Sequence, residues 1–155
     1  MAGYLPLYKD AALLTLGIGW AGIAGGIVLG LAVALVIHFR IPVARQLCRA
    51  YVELFRNTPL LIQLFFFYFG LPRFGFSITP EACGAFGLAL HGGAYMAESF
   101  RSGFESVVAI QRESSLALGL TRMQAVRYVI LPQAVALAFP SFVANIIFLL
   151  KETSV

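Results

Sequence analysis

Two oppositely charged residues, Glu98 and Arg101, lie at the end of an apolar stretch of the sequence. They are three residues apart, so in a helix their side chains share one face. A charged group in lipid costs free energy, and such groups are therefore candidates for a functional role. Two interpretations are open: the residues form an internal ion pair, or Arg101 binds the carboxylate of a substrate.

Catalysis and metal binding both need several reactive side chains close together, and the sequence shows no such cluster. His38 and His91 are far apart and isolated, which indicates neither a metal site nor a catalytic dyad. No phosphate-binding loop of the P-loop type is present. We therefore predict that the protein is not an enzyme, and we interpret Cys48 and Cys83 as unpaired packing residues.

A polar segment, residues 111–134, separates two strongly apolar runs. Residues 111–118 contain no helix breaker and predict a short helix. Gly119 is expected to end that helix as a left-handed C-cap. Thr121 precedes Gln124 by three residues, which is the spacing of a capping box at the start of a second helix. The segment therefore predicts a helix-turn-helix that leads into the last apolar run.

The side chains of this helix-turn-helix could contact a partner protein. Arg112 and Glu113 can pair with charges in a groove of the partner, and three leucines can add apolar contacts. The leucines are Leu116, Leu118 and Leu120. On physical grounds alone, an ordered loop without a partner is an equally good interpretation.

The composition is that of an integral membrane protein. Of the 155 residues, 60% are hydrophobic and only 12% are charged, which lies outside the usual range of soluble domains. The net charge of +4 comes from basic residues in short clusters between apolar runs, a pattern typical of membrane topology signals. Nucleic acid is therefore not an expected partner.

Four apolar stretches predict membrane-spanning helices. They are residues 11–37, 57–72, 79–104 and 128–150. The first has a helical length of about 40 Å, which exceeds the hydrocarbon thickness of about 30 Å. The second is short, and Pro59 is expected to kink it or to start it anew. Thr79 is expected to cap the third, with Pro80 at the first helical position.

Small and polar residues within the spans predict contacts between helices. Gly22, Gly26 and Gly30 recur every four residues, so they form a smooth strip for close packing against a neighbouring helix. Polar residues inside the spans are expected to hydrogen-bond from helix to helix. These residues are Gln63, His91 and Asn145.

The distribution of arginine predicts the orientation in the membrane. Arginines cluster between the first two spans and again between the last two. The residues are Arg40, Arg45, Arg49 and Arg56, then Arg112, Arg122 and Arg127, with Arg101 just before the second cluster. Because cytoplasmic loops are enriched in positive charge, both clusters are expected to face the cytoplasm. The N-terminus then lies outside, and residues 1–10 form a short external segment.

The polar segment also contains a recognisable motif. Its fixed positions are Glu113, Ser114, Ser115, Gly119, Val129, Leu131 and Pro132. The spacing resembles the signature of ABC-importer permease subunits: Glu-Ala-Ala, three residues, Gly, nine residues, Ile, one residue, Leu-Pro. Two alanines are serine here, and residues 108–111 replace the family's Pro-x-Gly-Gln turn. In that family this element is the coupling helix, which docks into a groove of the cytoplasmic ATPase.

The resemblance covers nearly the whole chain after the first span. Residues 51–72, 94–103 and 149–154 are similar to segments of permeases for polar amino acids, of the histidine and glutamine type. The implied fold is all-α: a polytopic, MetI-like permease with about four transmembrane helices and a cytoplasmic coupling helix-turn-helix. Residues 11–155 would form an incomplete ABC type-1 transmembrane domain, since family members typically have a fifth span after the position where this sequence stops.

The resemblance implies a permease subunit of an ABC importer that moves polar amino acids across the bacterial inner membrane. Its partners would be a cytoplasmic ATPase, a second permease subunit in a homodimer or heterodimer, a periplasmic or lipid-anchored amino-acid-binding protein, and membrane lipid. The chain itself would bind no cofactor and no metal, because ATP and Mg belong to the ATPase. Two alternatives are a self-sufficient small channel or secondary carrier, and a fragment without function.

Roles for individual residues are also implied by the resemblance. The ATPase-coupling residues would be Gln111, Arg112, Glu113, Ser114, Ser115, Leu118 and Gly119. Glu98 and Arg101 would lie on the substrate pathway. If Arg101 contacts the substrate carboxylate, Glu152 could meet the substrate α-amino group.

Overall fold

The protein is seen here in a computed structural model that describes residues 5–107 and 109–153. Three expectations therefore fall partly outside the described residues. They concern residues 1–4 of the predicted external segment, Val108 in the turn before the coupling helix, and residues 154–155 after the C-terminal Lys-Glu-Thr. The described elements are all helical, which confirms the all-α fold class.

The described α-helices follow one another with short connections. They are α1 (Leu5–His38), α2 (Ala44–Asn57), α3 (Leu60–Phe65), α4 (Pro80–Ser106), α5 (Ala109–Ala117), α6 (Arg122–Ala125) and α7 (Leu131–Glu152). A π-helical turn (Phe66–Gly70) and a 3-10 turn (Leu71–Phe74) extend α3, and a second π-helical turn (Val126–Ile130) joins α6 to α7. The helix α1 begins at Leu5, before the predicted start at residue 11.

The helices α1 and α4 run side by side in the same direction along the predicted glycine strip. A Cβ atom at Gly26 would lie 3.1 Å from the backbone nitrogen of Gly93. One at Gly30 would lie 2.8 Å from the backbone nitrogen of Ala97. The contact at Gly30 leaves no room for a methyl group, and the one at Gly26 is tighter than an ordinary van der Waals contact, so the close approach of the two backbones depends on glycine. The prediction of close packing along this strip is confirmed.

The second predicted span is broken at Pro59, where α2 and α3 meet at an angle of 109°. Thr58 is extended, with φ −112° and ψ 128°, because the residue before a proline disfavours the helical conformation. The side chain of Gln63 spans the corner, and its Nε2 donates to the carbonyl oxygens of Phe55 at 3.0 Å and Thr58 at 2.9 Å. Of the two expectations for Pro59, the helix starting anew is the one observed.

The helix α4 lies at the centre of the fold, in contact with α1, α2, α3 and α7. It begins as predicted, with Pro80 in its first turn and the Thr79 Oγ1 accepting a hydrogen bond from the backbone of Ala82 at 3.3 Å. The helix α7 runs antiparallel to it, since the start of α7 lies against Gly103 and its end against Gly92.

Two described helices are long and apolar enough to cross a membrane, Pro6–His38 and Arg122–Glu152. A third counts if α2 and the extended α3 form one bent span. We expected α4 to be a span as well, but it is not among these helices. Its hydropathy is too low because it carries polar residues such as His91, Glu98 and Arg101. His91 is buried between helices, and Glu98 and Arg101 are paired and only partly exposed, so these polar groups do not have to face lipid unpaired.

Candidate functional site

The predicted helix-turn-helix is present between α4 and α7. Gly119 has a φ of 85°, the left-handed conformation that glycine adopts most easily. The N–H of Gly119 donates to the carbonyl oxygen of Leu116 at 3.0 Å, and the N–H of Leu120 donates to that of Ser115 at 3.2 Å. These two bonds form a Schellman C-cap. The prediction of a left-handed glycine cap is confirmed.

The second helix of the motif starts with the predicted capping box. The backbone N–H of Gln124 donates to Thr121 Oγ1 at 3.3 Å, and the backbone N–H of Thr121 donates to Gln124 Oε1 at 2.9 Å. From there the chain stays helical into α7. The π-helical turn, which is wider than an α-helical one, lies just before Pro132. In a regular α-helix the ring of Pro132 would clash with a carbonyl group of the preceding turn. The helix-turn-helix is therefore joined to the last membrane helix without a break.

One face of the helix-turn-helix is open to solvent. Gln111, Glu113 and Ser114 are exposed, and the side chain of Leu118 is 84% exposed. We call these four residues the coupling surface, after the role that the resemblance implies. The surface combines one acidic and two uncharged polar side chains with an apolar one, so it offers both polar and apolar contacts.

Ser115 does not belong to the coupling surface, although the sequence placed it among the coupling residues. Its side chain is only 3% exposed, on the side of α5 that faces the rest of the fold. Ser115 therefore offers a partner almost no surface in this structure. The side chain of Arg112 lies outside the described part of the structure.

Glu98 and Arg101 form the internal ion pair that their spacing indicated. Arg101 donates from Nη2 to Glu98 Oε1 at 2.6 Å and from Nε to Glu98 Oε2 at 3.1 Å. Its Nη1 donates to Glu105 Oε1 at 2.6 Å. Arg56 Nη1 lies 3.7 Å from Glu98 Oε2, and the Arg56 guanidinium lies 5.4 Å from the centre of the Tyr95 ring. We call Arg56, Glu98, Arg101 and Glu105 the ionic cluster.

The sequence did not identify two members of this cluster. Glu105 follows Arg101 by four residues, a spacing that would have indicated the pair. Arg56 comes from α2, and no local spacing links it to Glu98. A cavity of about 400 Å³ opens beside the cluster between α2 and α4. Its lining includes Tyr95 and both charge signs, so it offers partners to a zwitterion.

Glu152 lies far from the ionic cluster. Its neighbour Thr153 approaches Gly19, with a side-chain carbon 3.3 Å from the position of a Gly19 Cβ. Glu98 follows Ala97, which lies against Gly30. Gly19 and Gly30 are about 16 Å apart along α1 at the helical rise per residue. Arg101 and Glu152 therefore cannot hold the two ends of one amino acid at the same time in this conformation, which corrects the pairing that the sequence suggested.

The polar residues inside the spans connect helices as predicted. His91 Nδ1 lies 3.1 Å from Gln63 Nε2, which joins α4 to α3. Asn145 Nδ2 donates to Ser99 Oγ at 2.8 Å, which joins α7 to α4. The expectation of helix-to-helix hydrogen bonds is confirmed for all three predicted residues.

Residues 12–155 match the family described as "Binding-protein-dependent transport system inner membrane component". The chain is 40% identical to the probable amino-acid ABC transporter permease protein PatM of Vibrio harveyi, over 99% of this chain and 70% of the relative. The same identity and coverage are found with the probable amino-acid permease protein YxeN of Bacillus subtilis. It also resembles the solved structure "Crystal structure of an amino acid ABC transporter with histidines", with a TM-score of 0.88, 36% identity and coverage of 99% of this chain and 72% of that one.

The chain belongs to this family of binding-protein-dependent transport components of the inner membrane. It is a multi-pass permease subunit of the ABC importer type with a MetI-like fold, as the motif around Glu113 and Gly119 implied. A self-sufficient channel or secondary carrier is not favoured. The family gives this subunit a transport role and not a catalytic one.

Proposed function

We propose that this chain forms the path for polar amino acids in an ABC importer and receives its driving force from a cytoplasmic ATPase through the coupling surface. The observation that carries the proposal is the exposed, doubly capped helix-turn-helix that continues without a break into α7. A displacement of the coupling surface is thereby passed to a membrane helix. The substrate class is supported by the relatives, which are named as amino-acid permeases.

The proposed assembly contains two permease subunits, alike or different, with the ATPase and an external amino-acid-binding protein. ATP and Mg bind to the ATPase, and this chain holds neither. The arginine-rich connections α1–α2 and α4–α7 face the cytoplasm, which puts the coupling surface on the side of the ATPase. The start of α1 and the end of α7 then lie on the outer side.

Reversing the charge of Glu113 is expected to weaken coupling. The original protein presents the negative charge of Glu113 to the ATPase groove. In Glu113→Lys the coupling surface would present a positive charge at the same place. Hydrolysis of ATP stimulated by the loaded binding protein should fall about fivefold in proteoliposomes, which corresponds to about 1 kcal/mol for an exposed charge pair. Asp10→Lys makes the same charge change on an exposed residue near the start of α1, on the outer side, and should leave the binding of the ATPase unchanged.

Amino-acid uptake by vesicles that hold this chain without any ATPase would contradict the proposed function. The same is true if Glu113→Lys and Asp10→Lys behave alike. Co-purification of the ATPase with the chain provides a second measurement, because it reports the contact directly and does not depend on the binding protein.

We further propose that Glu98 and Arg101 lie on the substrate path, at the cavity of about 400 Å³ between α2 and α4, which we call the inner cavity. Glu152 would meet the substrate α-amino group at a different stage, nearer the outer side. The guanidinium of Arg101 is already bonded to Glu98 and Glu105. A substrate carboxylate would have to replace one of them. Glu105 is the easier one to replace, because its side chain is 65% exposed while that of Glu98 is 31% exposed.

Removing the charge of Arg101 is expected to separate transport from hydrolysis. Arg101→Gln should lower the number of amino acids taken up per ATP about fivefold, because the charged hydrogen bond to the substrate is lost. Stimulated hydrolysis itself should stay within twofold of the original rate, since the coupling surface is intact. Uptake and phosphate release are measured in the same proteoliposomes.

Glu105→Gln is the matched control for this experiment. It breaks one ion pair of Arg101 but does not alter the lining of the inner cavity. Uptake per ATP should therefore not fall, because Glu105 no longer competes with the substrate carboxylate for Arg101. An equal loss in Glu105→Gln and Arg101→Gln would show that Arg101 acts only through the stability of the ionic cluster.

A further inference from the structure

A second cavity, of about 550 Å³, lies where α1 ends, α2 begins and the helix-turn-helix folds back. Arginine dominates its lining. The arginines are Arg40, Arg45, Arg49, Arg101 and Arg122, and the single carboxylate among the lining residues is that of Glu105. We call this space the arginine cavity. Its residues come from three separate parts of the chain, so the concentration of positive charge is a product of the fold.

The positive charge of the arginine cavity is not balanced within the described part of the chain. Only Arg101 is paired there, with Glu98 and Glu105. Residues 40, 45, 49 and 122 have no described carboxylate within 4.0 Å. The Nε of Arg45 is buried and has no described hydrogen-bond partner. Because a buried donor without a partner is costly, the geometry indicates that an anion completes the site.

The connection between α1 and α2 is shaped so that it brings arginine to this space. Arg40 has a φ of 54° and Val43 a φ of 63°, positive values that residues other than glycine rarely adopt. Such backbone strain persists only where the surrounding structure fixes it. The sharp turn places Arg40 at the end of α1 and Arg45 and Arg49 on the first turns of α2, at the rim of the same cavity.

The surroundings of the arginine cavity are those of a membrane surface. The cavity lies at the end of the apolar helix Pro6–His38, where the hydrocarbon gives way to headgroups. On the same connection and the first turn of α2 three large apolar side chains are exposed: Ile41 by 45%, Val43 by 70% and Leu47 by 67%. Apolar side chains next to a pocket of arginines match the two parts of a phospholipid, its acyl chains and its phosphate.

We propose that the arginine cavity binds the phosphate group of an anionic phospholipid from the cytoplasmic leaflet. The proposal rests on the orientation given under the proposed function, with the arginine-rich connections in the cytoplasm. Arginine donates in a fixed planar fork that suits phosphate oxygens. Free inorganic phosphate offers the same oxygens but no acyl chains, so the two sources can be separated by experiment.

A lipid in this cavity would also reach the coupling helix-turn-helix. Leu116 of α5 and Arg122 of α6 line the cavity on one side, and Arg45 and Arg49 of α2 line it on the other. A bound phosphate would therefore bridge the membrane-surface turn and the element that contacts the ATPase. Anionic lipid is expected to hold the helix-turn-helix in position, and stimulated hydrolysis should be higher in vesicles that contain phosphatidylglycerol than in those of phosphatidylcholine alone.

The binding test uses the full chain in a neutral detergent, without the ATPase. Three additions are compared at equal concentration: short-chain phosphatidylglycerol, short-chain phosphatidylcholine and inorganic phosphate. The thermal unfolding temperature is followed across each titration, because a ligand that binds only the folded state raises it. Phosphatidylglycerol should raise this temperature. In Arg45→Gln the apparent dissociation constant for phosphatidylglycerol should be about tenfold larger, since one charged hydrogen bond is lost.

Arg127→Gln is the matched control. Arg127 is an exposed arginine of the same segment that stacks on Tyr128 and is not among the lining residues. It removes the same charge and should leave the affinity for phosphatidylglycerol unchanged. If Arg45→Gln does not fold, Arg49→Gln at an exposed position of the lining takes its place.

Equal weakening by Arg45→Gln and Arg127→Gln would overturn the proposal, because it would show a general charge effect. An equal response to inorganic phosphate would overturn lipid as the source of the anion. No response to phosphatidylglycerol, with stimulated hydrolysis equal in vesicles with and without it, would also overturn the proposal, and the acidic groups of the ATPase would then be the partner of these arginines. The binding measurement involves no ATPase, so its failure is distinguishable from a failure of the proposed coupling function.

Discussion

Gly119→Val is expected to lower stimulated ATP hydrolysis more than tenfold, the largest expected effect of a single change in the helix-turn-helix. Gly119 has a φ of 85°, and an L-residue in the left-handed region costs about 1–2 kcal/mol. Valine adds the restriction of its branched Cβ. The change also puts at risk the two hydrogen bonds of the Schellman cap, each of about 1 kcal/mol. Together these costs favour states in which α5 and α6 no longer hold their angle. The measurement is hydrolysis in proteoliposomes with the loaded binding protein.

Two controls isolate the backbone effect. A Cβ atom at Gly119 has nothing within 4 Å, so steric contact does not explain a loss. Gly75 has nearly the same conformation, with φ 88° and open space around it, but it lies in the turn before α4 and away from the helix-turn-helix. Gly75→Val should therefore cost similar stability and leave coupling intact. Gly119→Asn should retain most of the activity, since asparagine tolerates the left-handed region.

The contribution of the turn would be refuted by a single comparison. If Gly119→Val and Gly119→Asn hydrolyse ATP at the same stimulated rate, the left-handed turn is not needed for coupling. Equal loss in Gly119→Val and Gly75→Val would assign the effect to overall stability instead. The thermal unfolding temperature of each variant is measured alongside hydrolysis so that these two cases are separated.

Local features of this fold could be predicted from the sequence because they depend on residues a few positions apart. The cap at Thr79, the turn at Gly119 and the capping box of Thr121 with Gln124 all have the expected bonds. Each involves a side chain and a backbone group within one helical turn, so the sequence contains all the participants. The glycine strip was predictable for the same reason, since its period is a property of one helix.

Features that join distant parts of the chain could not be predicted in this way. Arg56 meets Glu98 only because α2 turns by 109° from α3 and crosses the face of α4. No local signal gives the direction of that turn. Ser115 is buried although its neighbours in the motif are exposed, and which side of a short polar helix faces the fold is decided by packing against α6 and the π-helical turn.

The composition of α4 illustrates a further limit. A span is recognised from sequence by its hydropathy, which assumes that lipid surrounds it. The helix α4 is surrounded by other helices, and it can therefore hold His91, Ser99 and Glu98 without meeting the hydropathy of a lipid-exposed span. Central helices of a permease are thus the ones that hydropathy identifies least well, and they are also the ones that carry the polar groups.

Gly30→Leu is expected to prevent recovery of folded protein, the largest effect on stability. A Cβ atom at Gly30 would lie 2.6 Å from the Cβ of Met96, 2.8 Å from the nitrogen of Ala97 and 2.9 Å from the carbonyl oxygen of Gly93. Two of these atoms belong to the backbone of α4, so the clash cannot be relieved by rotating a side chain. Overpacking by a single methyl group costs about 1–3 kcal/mol, and leucine adds three more carbon atoms. Recovery is measured by size-exclusion chromatography in detergent.

Gly30→Ala gives a graded form of the same experiment, with Gly17→Ala as the control on the same helix. A Cβ at Gly17 has nothing within 4 Å, and alanine is favoured over glycine in a helix by about 0.5–1 kcal/mol. Gly17→Ala should therefore raise the thermal unfolding temperature slightly, while Gly30→Ala should lower it by several degrees. The opposite signs follow from one physical difference, the distance between the backbones of α1 and α4. A rise in both variants would mean that the two helices are not packed as closely as the structure shows.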